Sequence, residues 1–449
     1  MQPALVVLGN GFHTPTRDRL EVLTDCAFVI DGKGRIDSIL PPGAGQDRIV
    51  TAAEASDTLH RLPKDAWLIP GLVDLHIHAP QWPQLGLALD EPLEVWLQKY
   101  TFPLEARYAD PAFAEAVYDD LVRSLLAQGT TTAMYFGSVH RQPNLILAQA
   151  CLRHGQRALV GKVAMDDPDN CPDYYRDAEA QAGIDETRAF IEDLRALQGD
   201  DPLVLPVITP RFIPSCTDAL LEGLGVLAQE TGCHVQTHAS ESDWAAGHVR
   251  DRLGCSDCDA LDRFGLLTDR TVLAHANFVT DTDMALMAQR GAAVAHCPMS
   301  NAYFANAIFP VRRAMEAGVE VGLGTDISGG FSPSMLDGMR HALMSSRHLS
   351  HGNDPALPPQ TRGTGEPPLT AVEAFWLATA GGGDALSLPV GRLQAGQCFD
   401  ALVIRANLPG SGLRLFPGQE RPEDVFEKIV LTADRGAISD IWVQGRKIA

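Results

Sequence analysis

The nine residues Pro70–His78 form an apolar stretch that runs directly into two histidines one residue apart. Alternate residues of a β-strand face the same side, so His76 and His78 can both bind one ion. Leu75 and Ile77 then face the opposite side, where they can pack in a core. The stretch therefore predicts a buried strand that ends in part of a metal site.

From residue 70 onwards the chain alternates short apolar strands with amphipathic helices, a pattern typical of a parallel α/β fold. Eight such strands close a (β/α)8 TIM-type barrel, and active sites of these barrels lie at the carboxyl ends of the strands. We predict the eight strands at Leu72–His78, Thr130–Phe136, Leu159–Met165, Leu203–Thr209, His234–His238, Thr271–His275, Ala292–His296 and Val319–Asp326.

One predicted helix illustrates the signals between these strands. Asp110 suits the N-cap, Pro111 suits the first helical turn, and Gly129 can end the helix. An apolar stripe at helical spacing is expected to face the barrel, and it consists of Phe113, Val117, Leu121 and Leu125.

Both ends of the chain show short apolar runs separated by turn residues, which predicts antiparallel strands. We therefore expect residues 1–69 and 388–449 to form one small β-sandwich domain beside a catalytic barrel at 70–387. Pro and Gly are frequent at 350–369, and this composition predicts an irregular loop.

Composition limits the classes of partner. The formal net charge of −21 disfavours a nucleic-acid or anionic-membrane surface. The N-terminus does not resemble a signal peptide, and no apolar run reaches the roughly 18 residues of a membrane span. Nine scattered cysteines, including Cys255 and Cys258, are expected to be reduced thiols. These features favour a soluble cytoplasmic protein.

Four side chains at the predicted strand ends are candidate ligands for a metal ion: His76, His78, His238 and Asp326. Histidine and carboxylate are the ligands expected for zinc, and a catalytic zinc keeps one position open for water. His275 could bind the ion or orient that water, and we favour the orienting role.

Glu241 follows the fifth predicted strand closely enough to exchange protons with a substrate near the metal. A bound metal lowers the pKa of its water towards neutrality, so a hydroxide nucleophile is available near pH 7. We expect Glu241 to act as general acid and base, with Asp326 and His275 handling the remaining proton.

These residues, together with longer motifs, resemble the amidohydrolase superfamily over nearly the whole chain, and within it the guanine deaminases. The metal-site part of the resemblance comprises His76-x-His78, His238, His275 and Gly324-Thr325-Asp326. The more specific stretches are Pro70–Gln81, Lys99-Tyr100-Thr101-Phe102-Pro103, Thr130–Phe136, Gly161–Asp166, Thr209-Pro210-Arg211-Phe212 and Ser334-Met335-Leu336-Asp337.

The resemblance implies hydrolysis of guanine to xanthine and ammonia, by attack of a metal-activated hydroxide at C2. It also implies that Gln81 and Arg211 bind the oxygen-bearing edge of the base and that Phe212 helps to hold the ring. Many relatives carry a bridging lysine on the fourth barrel strand, which this chain lacks. One zinc ion per chain is therefore expected, with iron as the alternative, and the resemblance further suggests a homodimer.

Two other interpretations remain open from the sequence. A related amidohydrolase could act on 8-oxoguanine, a pterin, an adenine-type base or a chlorinated triazine, because the metal ligands do not distinguish these substrates. A catalytically silent scaffold is the second alternative, and the retention of every candidate ligand argues against it. The cytidine-deaminase type of zinc site is excluded because its H-x-E and P-C-x-x-C motifs are missing.

Overall fold

The computed structural model describes residues 3–199, 202–416 and 418–448. The N-terminal part contributes five strands to a first sheet within these residues: β1 (Leu5–Thr16), β2 (Arg19–Ile30), β3 (Ile36–Leu40), β4 (Leu59–Arg61) and β5 (Ala66–Pro70). The predicted antiparallel arrangement holds for β1 to β3. Strands β4 and β5 instead pair parallel with β1, because helix α1 (Ala44–Ala55) carries the chain back across the sheet.

The barrel consists of eight parallel strands within the described residues: β6 (Leu72–His78), β7 (Thr130–Phe136), β8 (Arg157–Ala164), β9 (Val204–Pro210), β10 (His234–Ala239), β11 (Thr271–His275), β12 (Ala293–His296) and β13 (Glu320–Leu323). Each strand pairs with the next along the chain, as a (β/α)8 barrel requires. The predicted TIM-type barrel with a small extra β-domain is therefore confirmed.

The eighth barrel strand is shorter than its predicted span, Val319–Asp326. Regular pairing ends at Leu323, and Asp326 lies beyond the strand. Two hydrogen bonds nevertheless close the barrel there: Asp326 N–H donates to the His76 carbonyl at 2.8 Å, and His78 N–H donates to the Ile327 carbonyl at 2.7 Å.

The C-terminal part completes the first sheet with β14 (Ala401–Arg405), β15 (Ile438–Val443) and β16 (Arg446–Lys447). The sheet runs in the order β16-β15-β14-β5-β1-β2-β3, with β4 on β1, so both ends of the chain share one mixed sheet. The domain limits 1–69, 70–387 and 388–449 stay a prediction. Near the first of them, the chain passes at Gly71 from β5 of the terminal sheet to β6 of the barrel.

Helices surround the barrel between its strands. In the described part of the chain they continue from α1 as α2 (Leu93–Trp96), α3 (Phe102–Ala106), α4 (Pro111–Ala127), α5 (Arg141–His154), α6 (Ala180–Ala196), α7 (Asp218–Thr231), α8 (Asp243–Leu253), α9 (Asp257–Arg263), α10 (Asp281–Arg290), α11 (Pro298–Ser300), α12 (Val311–Glu316), α13 (Met335–His351), α14 (Ala371–Leu377), α15 (Ala380–Ala385) and α16 (Pro422–Thr432). None of these helices is long and apolar enough to cross a membrane.

Helix α4 begins as predicted, since the Asp110 carboxylate accepts a hydrogen bond from Ala112 N–H at 2.9 Å. Its buried face is rotated from the predicted stripe. Phe113 and Val117 are only half-buried. The fully buried positions are Ala114, Tyr118, Leu121, Val122, Leu125 and Leu126. The prediction counted only apolar residues and so omitted Tyr118, which is buried. For this reason it placed the stripe too far round the helix.

The terminal sheet is tied to the barrel by a buried ion pair. Arg157 of β8 donates through Nε to Asp400 Oδ2 at 3.1 Å and through Nη2 to Oδ1 at 3.4 Å. The Asp400 carboxylate also accepts from Gln444 N–H at 2.6 Å, and its carbonyl accepts from Gly71 N–H at 2.8 Å. The pair therefore joins the barrel to the sheet at the bottom of β8, away from the strand ends that carry the candidate site.

Candidate active site

A pocket opens at the carboxyl ends of the barrel strands, where the active sites of TIM-type barrels lie. Seven of the predicted site residues line it together with apolar side chains. The lining residues are His78, Gln81, Leu93, Trp96, Leu97, Arg211, Phe212, His238, Glu241, Phe304, Asp326 and Gly329.

The histidine and carboxylate candidates converge at one side of this pocket. Within each of three groups, ligand atoms lie within 4.8 Å of one another: His76 with His78 and His238, His76 with His275 and Asp326, and His238 with Glu241 and His275. The histidines come from β6, β10 and β11, and the carboxylates follow β10 and β13. The fold therefore brings together side chains that lie up to 250 residues apart in the sequence.

The cluster has the donor chemistry of a cation site. Nε2 of His78 and Nε2 of His238 face each other at 2.9 Å, and Nε2 of His76 lies 3.2 Å from Asp326 Oδ1. Burial lowers the pKa of all three imidazoles well below the usual value, so the rings are neutral and offer lone pairs. Among the described residues, Nε2 of His76 and Nε2 of His275 have no hydrogen-bond partner despite their burial.

Two hydrogen bonds orient the rings of His238 and His275, and one of the acceptors is Asn301, which the sequence analysis missed. Nδ1 of His238 donates to the backbone carbonyl of Arg211, and Nδ1 of His275 donates to Asn301 Oδ1 at 2.9 Å. Because both acceptors are oxygens, the proton of each ring lies on Nδ1 and the Nε2 lone pair faces the cluster. Such partners fix the tautomer of metal-binding histidines.

The backbone around Asp326 is held by a second missed residue, Asp74. Its carboxylate accepts from Thr325 N–H at 3.0 Å, Thr325 Oγ1–H at 2.5 Å and His76 N–H at 3.2 Å. Burial raises the pKa of Asp74 to about 7. Asp326 and His275 both adopt left-handed backbone, with φ of 51° and 72°, a conformation that non-glycine residues enter at a cost of about 1–3 kcal/mol. Strain of this kind concentrates at functional sites.

Glu241 lies against the cluster with its carboxylate oxygen 3.6 Å from Nε2 of His275. Its side chain is buried, and Asn277 Nδ2 donates to its backbone carbonyl at 2.9 Å, which fixes the turn after β10. Burial first, and then the neighbouring charge of Asp326, raise the pKa of Glu241 well above its usual value. A carboxyl group in this environment is suited to holding and releasing a proton.

Gln81 and Arg211 line the pocket as well. A residue that the sequence reasoning missed, Glu105, joins them: Gln81 Nε2 donates to its Oε1 at 2.9 Å, and Arg211 Nη1 donates to its Oε2 at 2.6 Å. The only sequence signal for Glu105 was its position two residues after the motif Lys99–Pro103, which does not indicate a contact with Gln81 or Arg211.

Aromatic and aliphatic side chains form the remaining walls. Phe212 follows Arg211 beyond β9, and Trp96 contacts Phe304 with ring centroids 5.1 Å apart. Trp96 directly precedes a single π-helical turn at Leu97–Thr101, and Phe304 lies within another at Asn301–Ala305, a feature frequent at functional sites. The pocket therefore offers aromatic surfaces as well as polar groups.

Lys162 is not part of the cluster. It lies on β8, the third barrel strand, and its Nζ donates to Asp177 Oδ1 at 2.7 Å. The fourth strand, β9, contains no lysine. The cysteine pair does not line the pocket: Cys258 is buried and Cys255 half-buried, and both are free thiols.

A parallel barrel that gathers histidines and carboxylates at its carboxyl-terminal mouth, beside an enclosed pocket, defines a TIM-barrel metal-dependent hydrolase. The chain belongs to the amidohydrolase family, whose model matches residues 67–448. It is 36% identical to a guanine deaminase of Mus musculus, over 99% of this chain and 96% of that protein. The resemblance seen in the sequence motifs is thereby confirmed.

Solved structures agree with this assignment. A guanine deaminase from C. acetobutylicum with bound guanine superposes with a TM-score of 0.88 at 29% identity, covering 99% of this chain and 100% of that one. An adenosine deaminase from Xanthomonas campestris with bound zinc gives a TM-score of 0.80 at 26% identity, covering 99% and 92%. The family and the histidine–carboxylate cluster together indicate a bound metal.

We expect His78→Ala to abolish metal binding, because the substitution removes one of two imidazoles that face each other across the cluster. The measurement is metal content per chain by inductively coupled plasma mass spectrometry after purification and dialysis. His348→Ala, which alters an exposed histidine on α13, is the matched control and should keep its metal. Equal metal content in the two variants would contradict the assignment of the cluster.

Proposed function

We propose that this enzyme hydrolyses guanine to xanthine and ammonia. The observation that carries the proposal is the lining of one pocket, which combines Arg211, Gln81 and aromatic side chains with Glu241 and members of the histidine cluster. Such a pocket accepts a planar heterocycle that bears an oxygen at one edge and a reacting amidine carbon at the other. The guanine deaminase relatives support the same substrate.

We further propose zinc, one ion per chain, held by His76, His78, His238 and Asp326. The neutral imidazoles and the nearby carboxylate suit zinc, and iron would accept the same ligands. When bound, the ion supplies a Lewis acid that lowers the pKa of a coordinated water molecule towards neutrality. The absence of a lysine from β9 supports a single metal.

The side chains around the cluster carry the proton transfers. Glu241 accepts a proton from the attacking water and delivers it to the ring nitrogen adjacent to C2 of guanine, which makes C2 electrophilic. Asp326 and His275, 3.8 Å apart through Oδ2 and Nε2, take the second water proton and stabilise the oxygen that develops at C2. A final proton transfer to the exocyclic amine releases ammonia.

Arg211, Gln81 and Phe212 orient the base. Arg211 presents fixed guanidinium donors to the purine oxygen, and Gln81 offers both a donor and an acceptor. Phe212 contributes an aromatic surface next to His238, with ring centroids 6.1 Å apart. Holding the base between these groups converts the attack at C2 into an oriented, effectively unimolecular step.

Glu241→Gln should retain the metal and lose turnover by about 10²–10⁴-fold, because the amide keeps the shape of the side chain but cannot shuttle a proton. Ammonia release from guanine, normalised to metal content, is the measurement. Glu373→Gln changes a buried glutamate of α14 that pairs with Arg312 and should keep full turnover. Undiminished activity in Glu241→Gln would reject its role.

The substrate assignment is tested by ammonia release from guanine, 8-oxoguanine, adenine, cytosine and a pterin, and by chloride release from a chlorinated triazine. Preference for guanine is expected, since Arg211 and Gln81 match an oxo-purine. Turnover of another compound in the panel with guanine inert would assign a different member of the family. A protein that binds no metal and turns over nothing would be a silent scaffold.

A homodimer is proposed as well, supported by exposed apolar side chains on one face. Tyr303 and Phe331 are each 40% exposed with ring centroids 6.3 Å apart, and Met344 on α13 is 56% exposed. Patches of this kind mark protein interfaces. Sedimentation velocity should give twice the chain mass of 48.4 kDa, and Phe331→Asp should shift the protein towards monomer. A monomeric wild type would refute the proposal.

A cytoplasmic location remains a prediction. Its support is that all nine cysteines are free thiols, the state expected in a reducing compartment. Localisation of the tagged chain in cell fractions would test it, and recovery in an oxidising compartment would contradict it.

A further inference from the structure

We propose that Glu105 is a positioning residue that fixes Arg211 and Gln81, and that the enzyme recognises the purine oxygen only while this carboxylate holds both side chains. The inference rests on the proposed function. Glu105 is fully buried and does not line the pocket, so it acts through its two partners and not by touching the base.

The contact with Arg211 is a two-point ion pair. Nη1 donates to Oε2 at 2.6 Å, and Nη2 donates to Oε1 at 3.1 Å. Two parallel hydrogen bonds fix both the position and the plane of a guanidinium group. Phe102 adds a third constraint, since the guanidinium carbon lies 5.0 Å from its ring centroid. Arg211 is 2% exposed, so almost no water competes for these contacts.

The contact with Gln81 fixes the direction of its amide. Nε2 of Gln81 donates to Oε1 of Glu105 at 2.9 Å, and Oε1 of Gln81 accepts from Ser328 N–H at 3.2 Å. A carboxylate only accepts and a backbone N–H only donates, so rotation of the amide by 180° would break both hydrogen bonds. Glu105 therefore determines which Gln81 atom is the donor and which is the acceptor.

The same carboxylate balances the charge of the pocket. Burial is the largest effect and lowers the pKa of Arg211, but the charge and hydrogen bonds of Glu105, with smaller effects of other neighbours, together outweigh it. The net pKa is raised, so the guanidinium stays charged. The ion pair is neutral as a unit, which suits recognition of a neutral base. Without Glu105, Arg211 would be a buried, unpaired charge and would turn to another acceptor. Its donors would then leave the position that faces the purine oxygen.

Glu105→Gln should break the two-point contact with Arg211 while preserving the shape of the side chain. Arg211 donates to both oxygens of Glu105, so in either orientation the NH₂ group of the new amide faces an N–H donor of Arg211. The guanidinium is then displaced. Because a displacement of about 1 Å costs about 10²-fold in an oriented site, we expect kcat/KM for guanine to fall roughly 100-fold, mainly through KM, with unchanged metal content.

The decisive measurement is calorimetric binding of hypoxanthine and of unsubstituted purine to the metal-loaded protein. Neither compound carries an amine at C2, so binding is read without turnover, and they differ by the oxygen that Arg211 is proposed to recognise. The wild type should prefer hypoxanthine by about 10–100-fold, the value of a hydrogen bond to a charged group. Glu105→Gln should bind both compounds with nearly equal affinity.

Asp400→Asn is the matched control, because it alters another buried carboxylate that holds an arginine at two points, remote from the pocket. It should lower the unfolding temperature yet keep the hypoxanthine preference. If Glu105→Gln does not fold, Glu105→Asp is measured instead; its carboxylate, one methylene shorter, cannot hold both partners, and the preference should again fall.

An undiminished preference in the folded Glu105 variant, or a wild type that binds both compounds equally, would overturn the proposal. Loss of preference in Asp400→Asn as well would overturn it too, since general loosening would then explain the effect. Failure of the proposed function is a separate result, seen as absence of ammonia release from guanine by the wild type.

Discussion

The barrel closes through backbone hydrogen bonds between β6 and the residues that follow β13, and the candidate site depends on this closure. Asp326 N–H binds the His76 carbonyl, and His78 N–H binds the Ile327 carbonyl. These two bonds set the first pair of histidines beside a carboxylate from the far end of the barrel. Asp74 stabilises the junction because its carboxylate accepts a hydrogen bond from Thr325 N–H. The position of the candidate metal ligands thus follows from the way in which the first and last strands meet.

The sequence predicted the elements whose signals are local. Strands β6, β7 and β11 match their predicted bounds, because apolar runs and turn residues mark their ends. The span predicted for β13 was too long, since Gly324, Thr325 and Asp326 continue past Leu323 but leave the regular ladder. Glu105 was missed because its partners Gln81 and Arg211 lie 24 and 106 residues away, and no local pattern signals such a contact.

Two groups of residues in the pocket use charge differently. Burial keeps three imidazoles neutral and available as ligands, and it raises the pKa of Glu241. Arg211, in contrast, keeps its charge because a carboxylate is paired with it. One pocket therefore combines neutral ligands with a paired, permanently charged donor.

Arg211 has two different contacts in the site. Its guanidinium is the proposed donor to the base, whereas its backbone carbonyl accepts from Nδ1 of His238 and so orients a candidate metal ligand. A backbone carbonyl is present whatever side chain the residue carries. Mutation at position 211 can therefore alter substrate choice while the hydrolytic centre keeps its alignment, which gives a barrel of this kind a route to new heterocyclic substrates by single substitutions.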